Sequence, residues 1–563
     1  MRRMARDGAG VGRWPTMASS PPAAGLVQRL LRILRRVLTP RTAVGAAGIV
    51  AGGFIASRLL GLLRSVAIAD AFGTEPELGA YWVAFRLPDA IFQLLAGATL
   101  SAAFIPTFSR VVLRESEDEG WWLASSVLNL IALATFVAAA IGFLLAPLVV
   151  PLLAPGLGEA SGREEELSAL AVELTRLMLI SPLLFGISGM LTGILNARQH
   201  FLAPAIAPLL YNLGIIFGAV VLAERWGVHG LAWGVVIGAS GHLLVQLPAL
   251  RAVGMRWQPA VDIASEGVRE VLRLMGPRVV GLAAAQVNLV VVIFFASFIS
   301  DEAISAINFA FLVMLLPVGV IGMAISTAAF PQLSRQAARE DIASLRSSLD
   351  ATLRMILFLA IPASAGLILL AQPAVRLLLQ RGAFDAASTD LVVEALTIYA
   401  VAVWAHAAIE ILSRGFYALS DTRTPVTFAL VGMAINVALC AALVEPFGIR
   451  GLAAAASVAA IVELALLLYA LRGRVEGFDQ SSIVNSAGRT LLATLVMVLT
   501  LIVLLLLLRS GGADPKELLG SLVLTVACGL GGLVAFLASA ATLGSREYRA
   551  GARWLAGLRG GAE

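Results

Sequence analysis

The chain has 563 residues, 59% of them hydrophobic and only 14% charged, with a mean hydropathy of +0.89. Soluble domains run at about 45–50% apolar and about 25% charged, so a soluble globular protein is excluded and one dissolved in a bilayer is implied. The formal charge of +5 does not indicate nucleic acid, because the basic residues lie between apolar blocks, where they set orientation in the membrane.

Residues 1–42 form a basic N-terminal extension, with nine arginines against the single acid Asp7. No apolar stretch with a small-residue cleavage site follows directly, so it does not read as a signal peptide. Within it, Gly25–Leu38 (GLVQRLLRILRRVL) places leucines at helical spacing with arginines between. That pattern predicts a basic amphipathic helix on the cytoplasmic membrane surface.

Apolar segments then follow at about 43–70, 78–108, 121–153, 167–195, 201–223, 228–250, 270–299, 303–330, 352–379, 388–418, 424–445, 450–471, 486–508 and 517–543. A spanning helix needs roughly 20 mostly apolar residues, so an all-α polytopic membrane protein of about fourteen helices is expected. Connectors after even-numbered segments carry Arg110 and Arg114, Arg198, Arg335 and Arg339, and Arg423; those after odd-numbered segments include the acidic runs GTEPE (73–77) and GREEE (162–166). Both termini are therefore predicted to be cytoplasmic.

The chain repeats itself. AFIPTFSR (103–110) after the second segment matches AFPQLSR (329–335) after the eighth, with Pro106 and Pro331 225 residues apart. NARQHFLAP (196–204) after the fourth matches YALSDTRTP (417–425) after the tenth, with Pro204 and Pro425 221 apart. Two matches at nearly one offset predict two pseudo-symmetric six-helix lobes, 43–250 and 251–471, followed by two extra helices and a cytoplasmic tail in 472–563. Because each lobe has an even number of helices, the copies share an orientation and relate by an axis along the membrane normal.

A charge at mid-bilayer costs about 2.5–3.5 kcal/mol on insertion scales, so it must face a partner or a wet cavity. Arg58 and Arg64 in the first segment stand about a third of a turn off a common face. Each suits a diphosphate through its guanidinium fork, and snorkelling to headgroups is the alternative. Arg86 and Asp89 flank Pro88, which kinks a helix; they form either a self-neutralised kink or a hinge whose acid can protonate. Arg278, after Gly276-Pro277, is a third candidate to bind substrate. Glu173 and Arg176 have the spacing of a pair, and His406, Glu410 and Arg414 share one helix face. Asn196, Arg198 and Pro204, with Asp421, Arg423 and Pro425, mark two cytoplasmic junctions where turn chemistry or gating contacts fit. Cys440 and Cys528 lie in apolar runs and read as small core residues. No HExxH, GxSxG or P-loop occurs, so no catalytic residue, metal or cofactor is expected.

ASRLLGLLRSVAIADAFG (56–73), AYWVAFRLPDAIFQLLAGATLSAAFIPTFSR (80–110), GILNARQHFLAPAIAPLLYN (193–212), LRLMGPRVVGLAAAQVN (272–288), LPVGVIGMAISTAAFPQLSR (316–335) and FYALSDTRTPV (416–426) together resemble the MurJ/MviN family, in order and across both repeats. The resemblance implies a fourteen-helix member of the MATE/polysaccharide-exporter/MviN superfamily. Such a protein moves lipid II from the inner to the outer leaflet by alternating access, in the bacterial cytoplasmic membrane. It also implies a cationic cavity, with Arg58 and Arg64 at matching positions, and a groove for the lipid tail along the last two helices. The sequence departs from the family where Phe92 and Leu312 replace cavity arginines, and where Gly79 replaces an acid. Those departures keep two alternatives open: a flippase for another undecaprenyl-linked oligosaccharide, or a MATE-like antiporter. The partners implied are lipid II or a similar undecaprenyl-diphosphate-linked glycan, membrane lipids and cell-wall synthesis proteins. The chain is expected to act as a monomer, without nucleic acid.

Overall fold

The computed structural model describes residues 43–95, 98–475, 477, 480–515 and 517–560. The amphipathic helix expected at 25–38 lies outside them. Among the described residues the regular structure is helical throughout. In order these are α1 (Ala43–Phe72), α2 (Pro76–Leu95), α3 (Ala98–Arg114), α4 (Glu117–Leu153), α5 (Glu164–Met178), α6 (Ile180–Ala197), α7 (Leu202–Phe217), α8 (Val228–Leu244) and α9 (Leu247–Ala252). The second part continues with α10 (Glu266–Ser297), α11 (Asp301–Pro317), α12 (Ala324–Ala338), α13 (Ile342–Leu369), α14 (Ala371–Leu379), α15 (Ala386–Ala400), α16 (Val403–Ala418), α17 (Arg423–Arg474), α18 (Gln480–Ser510), α19 (Leu518–Thr542) and α20 (Arg546–Gly560).

Ten helices among the described residues are long and apolar enough to cross a membrane, or eleven when the α15–α16 pair, bent by 50°, is taken as one span. The 52-residue α17 turns back on itself at Gly448, whose φ of 53° lies in the left-handed region open to glycine. The helices over the expected segments 78–108 and 270–299 fall short of that criterion: α2 carries Glu77, Arg86 and Asp89, and α10 offers only the shorter apolar stretch Gln286–Ser297. The ionisable groups of α2 are tolerated because that helix packs against protein, whereas Glu266, Arg269 and Arg273 stand exposed in the first turns of α10.

Toward the end that the charge pattern predicts to be extracytoplasmic (the outer end below), one core takes residues from both parts of the chain: Ile68, Leu78, Tyr81 and Leu174 pack with Ile304, Phe309, Phe384 and Leu396. Toward the inner end the core divides. Phe104, Phe108, Trp121 and Leu191 gather around the inner half of α10, at Val268 and Val271. Leu333, Leu349, Leu353, Ile411, Phe416 and Leu467 form a separate core. A fourth joins α13 to α18 and α19 through Phe358, Met497, Leu501 and Phe536.

Small residues allow the closest approaches, because helices in lipid associate by packing of backbones. Gly214 and Gly218 on α7 and its π-helical extension meet Gly238 and Gly234 on α8. A Cβ built on Gly214 would lie 2.3 Å from the Gly238 Cα, and one on Gly218 2.7 Å from the Gly234 Cα. Gly234→Leu is expected to separate this pair, an overpacking cost of about 1–3 kcal/mol or more. Thermal unfolding of the purified protein should show a lowered Tm; an unchanged Tm would contradict the packing described.

Candidate functional site

Among the described residues, five hydrogen bonds close the outer end across the two parts of the chain. Thr74 Oγ1 and Ser388 Oγ lie 2.9 Å apart, and the Ala383 amide donates to the Asp70 carbonyl at 2.8 Å. The Gly156 amide donates to Ser297 Oγ at 3.2 Å, while Asp301 accepts from the Gly158 amide and the Ser161 hydroxyl, each at 2.6 Å. Glycine is what permits this closure. A Cβ on Gly79 would lie 2.6 Å from the Asp301 carbonyl oxygen, and one on Gly156 2.6 Å from that of Ser297. The absence of an acid at position 79 thus has a steric reason: no side chain fits between α2 and α11.

Below this seam stand the sequence-predicted charges. Arg86 does not close an ion pair with Asp89; its Nη2 donates instead to Asn308 Oδ1 of α11 at 2.7 Å. Asp89 accepts long contacts, both 3.5 Å, from Gln93 on its own helix and Gln286 on α10. The residues flanking Pro88 thus turn outward to the second part of the chain. Arg64 lies within electrostatic reach of Asp89, Tyr81 and Tyr211. Arg58 is exposed, and its guanidinium lies 5.1 Å from the ring centroid of Phe54 on its own helix. The structure therefore groups Arg64, Arg86 and Asp89 and leaves Arg58 apart. The side chain of Arg278 lies outside the described residues.

Phe92, where the family resemblance implies a cavity arginine, is part of an aromatic cluster. Phe92 packs on Phe185 at 4.7 Å between centroids, and Phe185 meets Tyr211 at 4.9 Å and His242 at 5.3 Å. His242 is held in turn by Ser188, 2.6 Å from its Nδ1.

Glu173 and Arg176 do not pair. Glu173 approaches His229 at 3.4 Å, whereas Arg176 stacks on Phe143 and donates to its carbonyl. Glu410 and Arg414 do pair, at 3.6 Å, one turn from His406. Sequence reasoning passed over Asn308, Gln286, Tyr81 and Tyr211, and over Glu463, half-buried against Gly432 and in no ion pair among the described residues. No local spacing signals Asn308, which lies 222 residues from Arg86.

At the inner end the two junctions share one turn. Gln199 and Ser420 both adopt positive φ, 58° and 60°. The next amides, of His200 and Asp421, bond back to Leu195 and Phe416, which is the Schellman helix stop with a non-glycine residue in the left-handed position. Asn196 accepts from the Gln199 amide, and Arg198 bonds Glu117 at 2.9 Å and lies over Trp121 and Phe108. Pro204 and Pro425 sit in first helical turns, where no amide is needed.

Asp421 caps α17 by accepting from the Arg423 and Thr424 amides, and meets Arg474 at 3.2 Å. Burial raises its carboxyl, but the Thr424 bonds and the Arg474 charge outweigh it and hold the group below its ordinary value. A carboxyl so depressed stabilises the fold at pH values above the unfolded value of about 3.9, and that support is lost as pH falls through the folded one. Thermal unfolding at neutral pH is expected to rank wild type above Asp421→Asn and Asn above Asp421→Ala, with about 1 kcal/mol lost with the cap. The gap between wild type and Asn should narrow below about pH 4; an alanine variant as stable as wild type would rule the cap out.

An apolar cavity of about 240 Å³ lies between α13, α18 and α19, lined by Leu359, Pro362, Met497, Leu501, Cys528 and Phe536 among others. Among the described residues no group of three His, Cys, Asp or Glu is placed to hold a metal ion.

The family described as "Lipid II flippase MurJ" matches residues 68–520. The chain belongs to that family. It is 32% identical over 431 residues to the lipid II flippase MurJ of Burkholderia cenocepacia, a match covering 76% of this chain and 83% of that protein. It is 29% identical over 505 residues to the probable lipid II flippase MurJ of Bdellovibrio bacteriovorus, covering 89% and 95%. Among solved structures, a lipid II flippase MurJ in an inward closed conformation superposes with a TM-score of 0.73 at 24% identity, over 87% of this chain and 98% of that one. A MATE family multidrug transporter in an inward-facing conformation superposes with a TM-score of 0.61 at 15% identity, over 75% and 94%. At such identities these two superpositions establish the fold alone, that of a multi-pass helical membrane protein.

Proposed function

We propose that the chain is a transporter, not an enzyme, that carries lipid II from the inner to the outer leaflet of the bacterial cytoplasmic membrane by alternating access. Family membership supports the cargo. The single observation that carries the mechanism is the division of the core: a common core and five hydrogen bonds join the two parts of the chain at the outer end, whereas toward the inner end α3, α4, α6 and the first half of α10 form one core and α12, α13, α16 and α17 another. A molecule so built presents its site to the cytoplasm and must part the outer seam to release cargo outward.

In this reading the lobes are 43–250 and 251–471, with both termini in the cytoplasm. Arg64 grips the diphosphate by its fork, with Arg86 and Asp89 beside it at the lobe boundary, and Arg278 adds positive charge from α10. The apolar cavity along α18 and α19 takes part of the polyprenyl tail. The chain acts as a monomer among membrane lipids and supplies proteins of cell-wall synthesis. One observation favours a different glycan: the aromatic cluster at Phe92 fills a place where a cationic contact is expected.

Depletion of the protein in its native host, with lipid II measured on each leaflet, tests the assignment. Inner-leaflet accumulation reversed by the wild-type gene is expected. Unchanged distribution, in a host without a second copy, would overturn it in favour of another undecaprenyl-linked cargo.

A further inference from the structure

The C-terminal helix α20 is not a loose tail. Its Glu547 is buried, with a side chain only 6% exposed, and approaches Arg354 of α13 at 3.3 Å. Ser545 donates to the same carboxylate at 2.9 Å, and Arg354 also donates to Ser482 at the start of α18 at 2.8 Å. Three segments distant in sequence are thus tied at one point on the inner end.

Beside that tie lies a polar cavity of about 150 Å³, lined by Ser481, Ser482, Asn485 and Ser486 of α18, with Arg489, Arg546 and Glu547. A water molecule takes about 30 Å³ in the liquid, so the space suits a group of a few heavy atoms, not a nucleotide. Because Glu547 is already compensated by Arg354, the two other arginines give the cavity an excess of positive charge. Arg489 donates to the Gly544 carbonyl at 3.0 Å, and Arg549 reaches the same carbonyl at 2.7 Å. Arg489 and Arg546 form no ion pair among the described residues.

We propose that this cavity binds the phosphate of an anionic phospholipid of the surrounding leaflet. Hydroxyl and amide groups beside unpaired guanidiniums form a bed for phosphate oxygens. The lipid source follows from position. The cavity lies at the start of the apolar span Ser481–Ser510 and just past the end of Leu518–Thr542, which in a bilayer corresponds to headgroup depth. The sequence of α20, REYRAGARWLAGLRG, then sets four arginines against one acid, the composition of a helix lying on an anionic surface. Bound there, the headgroup joins α13, α18 and α20 across the tie made by Glu547. The inference needs only the membrane reading and is independent of which cargo is moved.

The full chain, purified in non-ionic detergent and stripped of lipid, is mixed with phosphatidylglycerol or with phosphatidylcholine, and retained lipid is measured by native mass spectrometry. The wild type is expected to retain phosphatidylglycerol in preference to phosphatidylcholine. Joint replacement Arg489→Gln and Arg546→Gln should weaken that retention roughly tenfold or more. Arg553→Gln, an equal loss of charge on the exposed face of α20 and away from the cavity, should leave it unchanged, and a Tm measured on each variant separates lost binding from lost folding. Three results would overturn the proposal: equal retention of the two lipids, wild-type retention by the double variant at unchanged Tm, or an Arg553→Gln loss as large as that of the cavity pair. Full displacement of phosphatidylglycerol by inorganic phosphate at equal concentration would overturn the lipid source and leave a free-anion site.

Discussion

Arg64→Ala is expected to abolish rescue of a depleted host, leaving lipid II on the inner leaflet while the protein still accumulates in the membrane. Arg64 is half-buried on α1 within reach of Asp89 and two tyrosines, so its helix is held by packing that the truncation leaves intact. A charge-assisted bond is worth about 1.5–3 kcal/mol, and losing one corresponds to roughly ten- to hundredfold weaker capture of a diphosphate. Arg64→Lys should recover part of the activity, because an ammonium keeps the charge and loses the two-pronged geometry. Arg58→Ala should cost less, since that guanidinium is exposed and stacked on Phe54 of its own helix. Full rescue by Arg64→Ala would remove this residue from the site.

Gly79→Leu is expected to hold the outer end open. The obstacle at 79 is the Asp301 backbone carbonyl, 2.6 Å from an added Cβ, and backbone cannot swing aside as a flexible side chain does. Overpacking of about 1–3 kcal/mol falls on the closed state alone, because parting the seam relieves it. The balance between closed and open forms then moves by roughly ten- to hundredfold. A reporter thiol at Thr74→Cys, buried at the seam in the present state, measures the shift. A membrane-impermeant maleimide should label it faster in the Gly79→Leu background, with transport reduced because the inward-facing form is scarce. Equal labelling in both backgrounds would show that the seam adapts to the leucine.

Composition made the membrane and the all-helical fold legible, because no soluble core accommodates so many apolar residues. The proline repeats anticipated the equivalence of the two junctions: Gln199 and Ser420 stop their helices with the same left-handed residue, 221 positions apart. The partners of the charges were less legible. Helical spacing suggested Arg86 with Asp89 and Glu173 with Arg176, because a sequence displays neighbours three and four residues away. In the fold each found a nearer alternative on another helix, at Asn308, Gln286, His229 or Phe143. Local spacing cannot register such long-range alternatives. The role of Gly79 was hidden for a related reason, since its constraint is set by a carbonyl oxygen 222 positions away.

The same interval separates Arg86 from Asn308 and Gly79 from Asp301. The proline repeat relating these same segments runs at 225 residues, three more. Each position at the boundary therefore meets not its own copy but the residue about one helical turn before it. The halves pack out of register with their own repeat, so a substitution at one boundary position is felt by a different position of the repeat on the other side.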